Sequence, residues 1–235
     1  MGTDLPKTAA IIPAAGRGRR MGGPIGKLFL PLRGVPVIIR TLRVFEACAL
    51  VDTVIVPVAP EDAEKLRRLA ETYDLAKTVI TGGGEERRFS VQNALRLLPP
   101  SVRRVVVHDG ARPLLAEGDL SAFLLAAWDM AAAVAALPVK DTIKVADGEG
   151  RVKNTPPRHT LRAAQTPQFF ARDLLTAAYA AAGEEAGGTD DASLVERYGG
   201  EVRLLPGWEE NIKITTGLDL LLAEAILRAR EEGAS

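Results

Sequence analysis

The chain has 235 residues, of which 47% are hydrophobic and 26% are charged, and its 30 basic residues equal its 30 acidic ones. This composition excludes an intrinsically disordered protein, which combines low hydrophobicity with a strong net charge. The zero net charge argues against a protein that binds long nucleic acids through a basic surface. The length is within the range of one α/β domain.

Cysteine and histidine are too few for a disulfide framework or a zinc site. Cys48 is the single cysteine, and His108 and His159 are too widely separated to suggest zinc ligands. The sequence has no apolar run of membrane-spanning length, and its N-terminus lacks the apolar segment of a signal peptide. We therefore expect a cytoplasmic protein.

The first part of the chain alternates short apolar runs with amphipathic segments. Apolar runs between turn signals predict buried strands, and apolar residues at helical spacing predict helices. The predicted strands are residues 8–13, 51–58, 77–81, 102–108 and 131–138, and the predicted helices are residues 37–49, 61–73, 90–98 and 119–130. This alternation favours an α/β fold of the Rossmann-like, doubly wound kind, with a mostly parallel sheet and helices on both faces.

From Val139 onward the chain departs from this alternation. Ile143, Val145 and Val152 lie on either side of a turn at residues 147–150, which predicts a protruding β-hairpin. A two-stranded hairpin is marginally stable alone, so we expect an arm that packs on a partner subunit. The simplest interpretation is one domain over residues 1–235, with a dimerisation arm at about 139–160.

The remainder of the chain returns to regular elements. Residues 171–182, 191–198 and 218–231 are predicted to be helical, and residues 202–205 and 212–214 are predicted to be strands.

The loop after the first predicted strand is rich in glycine and in cations. Between Pro13 and Lys27 it contains five glycines together with Arg17, Arg19 and Arg20. Glycines let backbone N–H groups approach an anion, and Arg and Lys add charge-assisted hydrogen bonds to phosphate. Ligands of parallel sheets bind at the carboxyl ends of strands, so this loop predicts a phosphate site. It matches neither the Walker A loop nor the dinucleotide fingerprint, and a solvated turn is the alternative.

Asp109 follows the predicted strand 102–108 at the same expected edge of the sheet. A carboxylate that faces a phosphate loop can hold a magnesium ion, whose other ligands are phosphate oxygens and water. The alternative is an aspartate that caps the following turn. His108 is predicted to be a packing residue.

Two further segments carry candidate ligand contacts. The glycine run from Gly82 to Gly84 would allow main-chain contact with a flat base. Ser90 either caps the following helix or contacts a ligand, and the sequence alone favours the cap. Lys213 lies in a predicted strand, and its spacing favours an edge position over an inward-pointing one. Arg158 has no distinguishing pattern of its own.

Together these segments resemble the cytidylyltransferases that make CDP-linked alcohols from CTP, in particular the 2-C-methyl-D-erythritol 4-phosphate cytidylyltransferase family of the non-mevalonate isoprenoid pathway. The motifs that carry the resemblance are PAAGRGRRM (13–21), Lys27, GGGEERRFSV (82–91), VVVHDGARP (105–113), VKDTIK (139–144), QTPQFF (165–170), TDDASLVE (189–196) and NIKIT (211–215). Several collinear motifs in one chain are far more specific than any single motif. The resemblance implies CTP and methylerythritol phosphate as substrates, Mg²⁺ as cofactor and a homodimer.

The resemblance also implies roles for individual residues. Arg20 and Lys27 would stabilise charge on the α-phosphate and the leaving group, and Asp109 would help to hold magnesium. The implied nucleotide-binding residues are Ala14, Ala15, Gly16, Gly84 and Ser90. The implied substrate-binding residues are Arg112, Thr142, Arg158, Thr189 and Lys213, of which Arg158 and Lys213 would also act in catalysis. Because the family's arm crosses to a second subunit, Thr142 and Arg158 would complete the partner's site.

The chain departs from the family pattern at three places. Gly26 and Leu28 flank Lys27 where Pro and Gln are usual, Gly110 replaces an alanine, and Glu210 replaces a frequent aspartate. Glu210 is therefore left out of the implied metal site. Because the sequence ends near the last predicted helix, we expect no cyclodiphosphate synthase domain of the kind that some relatives carry.

Alternative functions remain open at this level. A ribitol-5-phosphate cytidylyltransferase is the nearest one, followed by a guanylyl- or uridylyltransferase. A non-catalytic nucleotide-binding regulator belongs to a different class, because a fold does not determine a function. The joint presence of residues for both the leaving group and the acceptor alcohol phosphate argues against a regulator.

Overall fold

The elements of the fold are described by a computed structural model that covers residues 6–16, 26–183 and 190–233. The strands are β1 (Lys7–Ile11), β2 (Pro31–Leu32), β3 (Val35–Pro36), β4 (Thr53–Val58), β5 (Thr78–Gly82), β6 (Val102–Val107), β7 (Ala132–Pro138), β8 (Val145–Ala146), β9 (Val152–Asn154), β10 (Arg162–Ala171) and β11 (Arg203–Pro206). The α-helices are α1 (Val37–Ala47), α2 (Pro60–Thr72), α3 (Arg87–Arg96), α4 (Glu117–Ala127), α5 (Arg172–Ala181), α6 (Asp191–Arg197) and α7 (Gly217–Gly233). Short 3-10 turns occur at Lys27–Phe29 and Arg158–Thr160.

The central sheet of the described residues has seven strands in the order β11-β7-β10-β6-β1-β4-β5. Neighbouring strands are parallel except at β10, which runs antiparallel to both β6 and β7. The predicted mostly parallel α/β sheet is therefore confirmed. The ends of β1, β4 and β6 lie at one edge, where ligands of such sheets bind.

Both faces of the sheet are covered by helices, as predicted. Ala10 of β1 packs in one core with Phe45 of α1, and Ile11 packs in the opposite core with Val91 of α3. Strands buried on both faces are apolar throughout, which is why β1 appears in the sequence as a short continuous run. Among the described helices, none combines the length and the apolar character that crossing a membrane requires.

Strand β10 is not predicted by the sequence pattern, although it lies inside the sheet between β7 and β6. Its first residues, Arg162 to Ala164, are exposed, whereas Gln165 to Phe170 are buried. Its pairing with β7 also shifts in register between Ala164 and Gln168, around Pro167. A strand that is exposed in one part, buried in another and interrupted by a proline shows neither alternating polarity nor a continuous apolar run. The sequence patterns that predict strands are therefore absent.

The predicted strand at residues 212–214 is wrong, because this segment pairs with no strand in the described part of the chain. The backbone N–H of Asn211 donates to the carbonyl of Trp208 at 3.1 Å, and the N–H of Ile214 donates to the carbonyl of Ala111 at 2.8 Å. Ile214 is fully buried. Its apolar character therefore reflects packing against the loop after β6 and not participation in a sheet.

The predicted hairpin is confirmed, since β8 pairs antiparallel with β9. In the turn, the Asp147 side chain accepts hydrogen bonds from the N–H groups of Glu149 and Arg151, and Gly150 takes φ +82°. Val145 and Val152 are exposed by 41% and 59% on this arm. The arm thus presents apolar side chains that its own chain does not cover.

Candidate active site

Two loops predicted to bind the nucleotide touch each other at the ends of β1 and β4. Ala14 donates its N–H to the carbonyl of Pro57 at 2.8 Å, and Gly83 donates its N–H to the carbonyl of Val58 at 2.8 Å. A Cβ on Gly83 would lie 2.3 Å from the Cβ of Ala15. The absence of a side chain at Gly83 is therefore what lets the loops approach.

Ser90 supports the glycine loop and does not cap the helix, so the cap interpretation is wrong. Helix α3 begins at Arg87 after the N-cap residue Glu86, three residues earlier than predicted. The buried Ser90 hydroxyl accepts a hydrogen bond from the N–H of Gly84 at 3.0 Å and donates to the carbonyl of Glu86 at 3.2 Å. This pair of bonds holds Gly84 against Phe89, where a Cβ on the glycine would lie 2.4 Å from the Phe89 Cβ.

Asp109 lies at the centre of a cluster of cations just beyond β6. Its Oδ1 accepts from Arg87 Nε at 3.3 Å, and its Oδ2 accepts from Lys213 Nζ at 2.9 Å and Arg112 Nε at 3.4 Å. Burial by itself would raise the pKa of Asp109, but the three cations outweigh it and hold that pKa well below its ordinary value. Asp109 is therefore an anionic carboxylate surrounded by positive charge.

Lys213 reaches this cluster because the segment before α7 folds over the loop after β6. Arg112 Nη1 donates to the carbonyl of Asn211 at 2.7 Å, and Asn211 Nδ2 donates to the carbonyl of Thr166 at 2.7 Å. The edge-strand interpretation of Lys213 is therefore wrong, and its ammonium group pairs with Asp109.

His108 is a packing residue, as predicted. It is fully buried, its ring centroid lies 5.2 Å from that of Phe45, and burial lowers its pKa to about 4. Its Nδ1 lies 3.1 Å from Thr166 Oγ1, which also accepts the N–H of Asp109 at 3.0 Å. Thr166 is thus a support of the site that the sequence analysis missed.

A second buried ion pair adjoins the cluster and was also missed. Arg87 Nη2 donates to Asp191 Oδ2 at 2.7 Å, and the Tyr179 hydroxyl donates to Asp191 Oδ1 at 2.5 Å. Burial by itself would lower the pKa of Arg87, but Asp191 and Asp109 reverse that effect and raise it. Arg87 and Asp191 lie in two of the recognised motifs, yet nothing in the sequence pairs them.

The donor set around Asp109 can be compared with what a magnesium ion requires. Within the described ranges, no group of three or more His, Cys, Asp or Glu side chains converges on one point. A single carboxylate fits a magnesium ion that takes most of its ligands from phosphate oxygens and water. Glu210 is engaged elsewhere, because Arg230 Nη2 lies 2.6 Å from its Oε2.

Among the described residues, several implied site residues make no ion pair with Asp109, and others fall outside the described ranges. Arg20 and Thr189 fall in the ranges that the structure leaves out, and Gly16 is exposed at the last described position of the first loop. Lys27 is half-buried at the start of its 3-10 turn. Thr142 is exposed at the base of the arm.

Arg158 is also exposed at the base of the arm, and its Nη1 donates to the carbonyl of Lys140 at 2.7 Å. In the described part of one chain, neither Thr142 nor Arg158 bonds to the Asp109 cluster. The arm therefore leaves these two residues available to another molecule.

Comparison with known proteins gives a consistent result. The model of the family IspD: 2-C-methyl-D-erythritol 4-phosphate cytidylyltransferase matches residues 8–229. Proteins named 2-C-methyl-D-erythritol 4-phosphate cytidylyltransferase from Pelotomaculum thermopropionicum and Symbiobacterium thermophilum are 45% and 47% identical, over 97% and 96% of this chain and 97% and 94% of theirs. The crystal structure of 4-diphosphocytidyl-2C-methyl-D-erythritol synthase from Anaerococcus prevotii has a TM-score of 0.84 at 31% identity, covering 94% of this chain and 96% of that one. The Thermus thermophilus cytidylyltransferase structure has a TM-score of 0.75 at 34% identity, covering 94% and 99%.

Proposed function

The chain belongs to the 2-C-methyl-D-erythritol 4-phosphate cytidylyltransferase family, and from this premise we infer that it is the enzyme of that name. It transfers CMP from CTP to 2-C-methyl-D-erythritol 4-phosphate, which yields 4-diphosphocytidyl-2-C-methyl-D-erythritol and pyrophosphate. The reaction belongs to the biosynthesis of isoprenoid precursors.

The observation that carries this function is the direct link between the glycine loop and the cation cluster. Ser90 holds Gly84 from the first turn of α3, and Arg87 on the same turn donates to Asp109. A nucleotide whose base lies at Gly84 would therefore lie next to Lys213 and Arg112, the cations that the acceptor phosphate would contact. That arrangement supports binding of a triphosphate and a second phosphate-bearing substrate at one sheet edge.

The chemistry requires positioning and charge neutralisation more than a protein nucleophile. A phosphate oxygen of methylerythritol phosphate attacks the α-phosphorus of CTP in line, and the bond between that phosphorus and the bridging oxygen to the β-phosphate breaks. Both reactants are anions, so fixed cations lower the barrier by offsetting their repulsion. We assign Arg20 and Lys27 to the α-phosphate and the leaving group, and Arg158 and Lys213 to the acceptor phosphate.

We also propose Mg²⁺ as the cofactor, with Asp109 as its protein ligand. When bound, the ion neutralises charge on the triphosphate oxygens. Arg87, Arg112 and Lys213 already offset the charge of Asp109, so affinity for the ion depends on the phosphates that arrive with it. A single strand-end carboxylate supports this shared coordination.

We propose a cytoplasmic homodimer of one-domain subunits in which the arm at about 139–160 crosses to the partner. The exposed apolar side chains of the arm support this proposal, because a free two-stranded hairpin is marginally stable. Thr142 and Arg158 would then complete the acceptor site of the partner subunit. Their exposure, away from the Asp109 cluster of their own chain, is what the crossing requires.

The test of the function is pyrophosphate release with Mg²⁺, each nucleoside triphosphate, and a panel of alcohol phosphates that includes methylerythritol 4-phosphate and ribitol 5-phosphate. We expect release with CTP and methylerythritol phosphate alone. A preference for ribitol phosphate would keep the chemistry and replace the pathway. Binding of CTP without release in any combination would favour the non-catalytic regulator.

Gly84→Ala is expected to raise the Kd for CTP at least tenfold, since the new Cβ would lie 2.4 Å from Phe89 Cβ and 3.0 Å from its carbonyl carbon. The backbone cannot yield as a flexible side chain can, so the loop must shift. Gly118→Ala, in the first turn of α4 and outside this loop, is the matched control, because its Cβ meets nothing within 4 Å. Calorimetric titration with CTP measures the Kd of each variant. A Kd of Gly84→Ala equal to that of the control would contradict the assignment of the loop to the nucleotide.

A further inference from the structure

We propose that Arg87 is a positioning residue that orients the Asp109 carboxylate, and that the buried Asp191–Tyr179 pair holds Arg87 in that position. This proposal rests on the proposed function, because it concerns how Asp109 meets the metal-bound nucleotide. Arg87 itself would touch neither the nucleotide nor the acceptor.

The division of hydrogen bonds on Asp109 points to this role. Among the described residues, Oδ1 is held by Arg87 alone, whereas Oδ2 is shared by Lys213 and Arg112. Lys213 and Arg112 are the cations we assign to phosphate, so their bonds to Asp109 compete with substrate. Arg87 is held on its other side by the fully buried Asp191, so we expect its bond to Asp109 to persist when phosphates bind.

The guanidinium group of Arg87 is suited to bridging two carboxylates. Its Nε donates to Asp109 and its Nη2 donates to Asp191, so one rigid planar group determines the relative placement of both. A lysine ammonium carries charge but has no fixed fork of donors. The bridge therefore depends on the shape of arginine as well as on its charge.

Asp191 is a firm anchor for this bridge. Its side chain is fully buried, its second oxygen accepts the Tyr179 hydroxyl, and it lies in the first turn of α6, where the helix dipole favours a carboxylate. The N–H of Ala192 donates to Gln168 Oε1 at 3.1 Å, which ties the same turn to β10. Helices α5 and α6 thereby support a residue of the active site.

The first test compares Arg87→Lys with Arg96→Lys, an exposed position in the last turn of the same helix. The affinity for CTP is measured by calorimetry without acceptor, once with MgCl2 and once with EDTA. In Arg87→Lys we expect the gain in affinity caused by Mg²⁺ to fall by roughly 10- to 100-fold, the effect typical of losing a residue that orients a metal ligand. The affinity in EDTA and the KM for methylerythritol phosphate should stay within about threefold. Arg96→Lys should match wild type, and a wild-type Mg²⁺ effect in Arg87→Lys would overturn the proposal.

A second pair of variants separates positioning from stability. Arg87→Gln alone leaves the buried Asp191 carboxylate without its cation, so its Tm should fall. Adding Asp191→Asn removes that uncompensated charge, and we expect the double variant to regain Tm but not the Mg²⁺ effect on CTP affinity. Recovery of the Mg²⁺ effect would mean that Arg87 only neutralises Asp191, which would overturn the proposal. All titrations are run well below the lowest Tm, so that every variant is folded and the measured difference is one of affinity for CTP.

The same experiments distinguish failure of this inference from failure of the proposed function. If wild type binds CTP more tightly with Mg²⁺ but releases no pyrophosphate from any substrate pair, the function is wrong and the Arg87 comparison still decides the inference. If Mg²⁺ leaves the CTP affinity of wild type unchanged, the inference itself is overturned.

Discussion

Lys27→Ala is expected to lower kcat by roughly 100- to 1,000-fold, equivalent to about 2.7–4 kcal/mol of barrier, while Tm stays close to that of wild type. The reason is the loss of the cation that we assign to the α-phosphate and the leaving group, where charge builds during the reaction. The 3-10 turn that begins at Lys27 is held by main-chain bonds, such as the N–H of Phe29 donating to the carbonyl of Gly26 at 2.9 Å. Alanine preserves these bonds, so the turn persists. Steady-state pyrophosphate release and thermal melting measure the two quantities.

Lys65→Ala is the control for this variant. Lys65 Nζ lies 4.2 Å from the centroid of the Phe29 ring, so it contacts the same turn through a cation–π interaction. We expect a small loss of Tm and a kcat within about twofold of wild type, because a cation–π contact at an exposed site contributes only about 0.5–1 kcal/mol. An equal loss of kcat in both variants would assign the effect to the turn, and near-normal turnover of Lys27→Ala would end its catalytic assignment.

In the proposed homodimer, Arg158→Ala is expected to abolish activity and to be rescued by mixing with Lys27→Ala. If the arm crosses, a mixed dimer has one site that carries both substitutions and one site that carries neither. Random exchange makes half of the dimers mixed, so about a quarter of the sites regain wild-type activity in a twofold-symmetric dimer. Pyrophosphate release after exchange measures the recovery, and differently tagged chains verify that exchange occurred.

The control for the mixing experiment places Lys27→Ala and Arg158→Ala in the same chain and mixes it with wild type. In a crossed dimer, each site of the mixed species lacks one of the two residues, so wild-type activity falls by about half as mixed dimers form. If each chain instead builds its own site, the double variant leaves wild type unaffected and the two single variants show no recovery. Either of these results, with exchange demonstrated, would refute the shared site.

Local patterns were sufficient for much of the architecture. The apolar run of β1, the helical spacing of α1 and the turn from Asp147 to Gly150 all lie in short windows, where periodicity and turn chemistry act directly. The same holds for the glycines beside Ser90, since a loop between a strand and a helix is visible without knowing its neighbours. The fold class and the edge of the sheet that carries the site followed from these elements.

The pairing of side chains that are far apart in the sequence was determined by tertiary packing, which short sequence windows do not contain. Arg87 and Asp191 are 104 positions apart, and Lys213 is as far from Asp109, so no local period relates them. Strand β10 has no recognisable strand pattern in the sequence, because Arg162 to Ala164 are exposed whereas Gln165 to Phe170 are buried. The sequence alone thus specified which residue types and turns stand at the ends of the strands. Only the tertiary structure determined which charges pair there. A buried carboxylate needs cationic partners, and the fold decides which cations lie next to it.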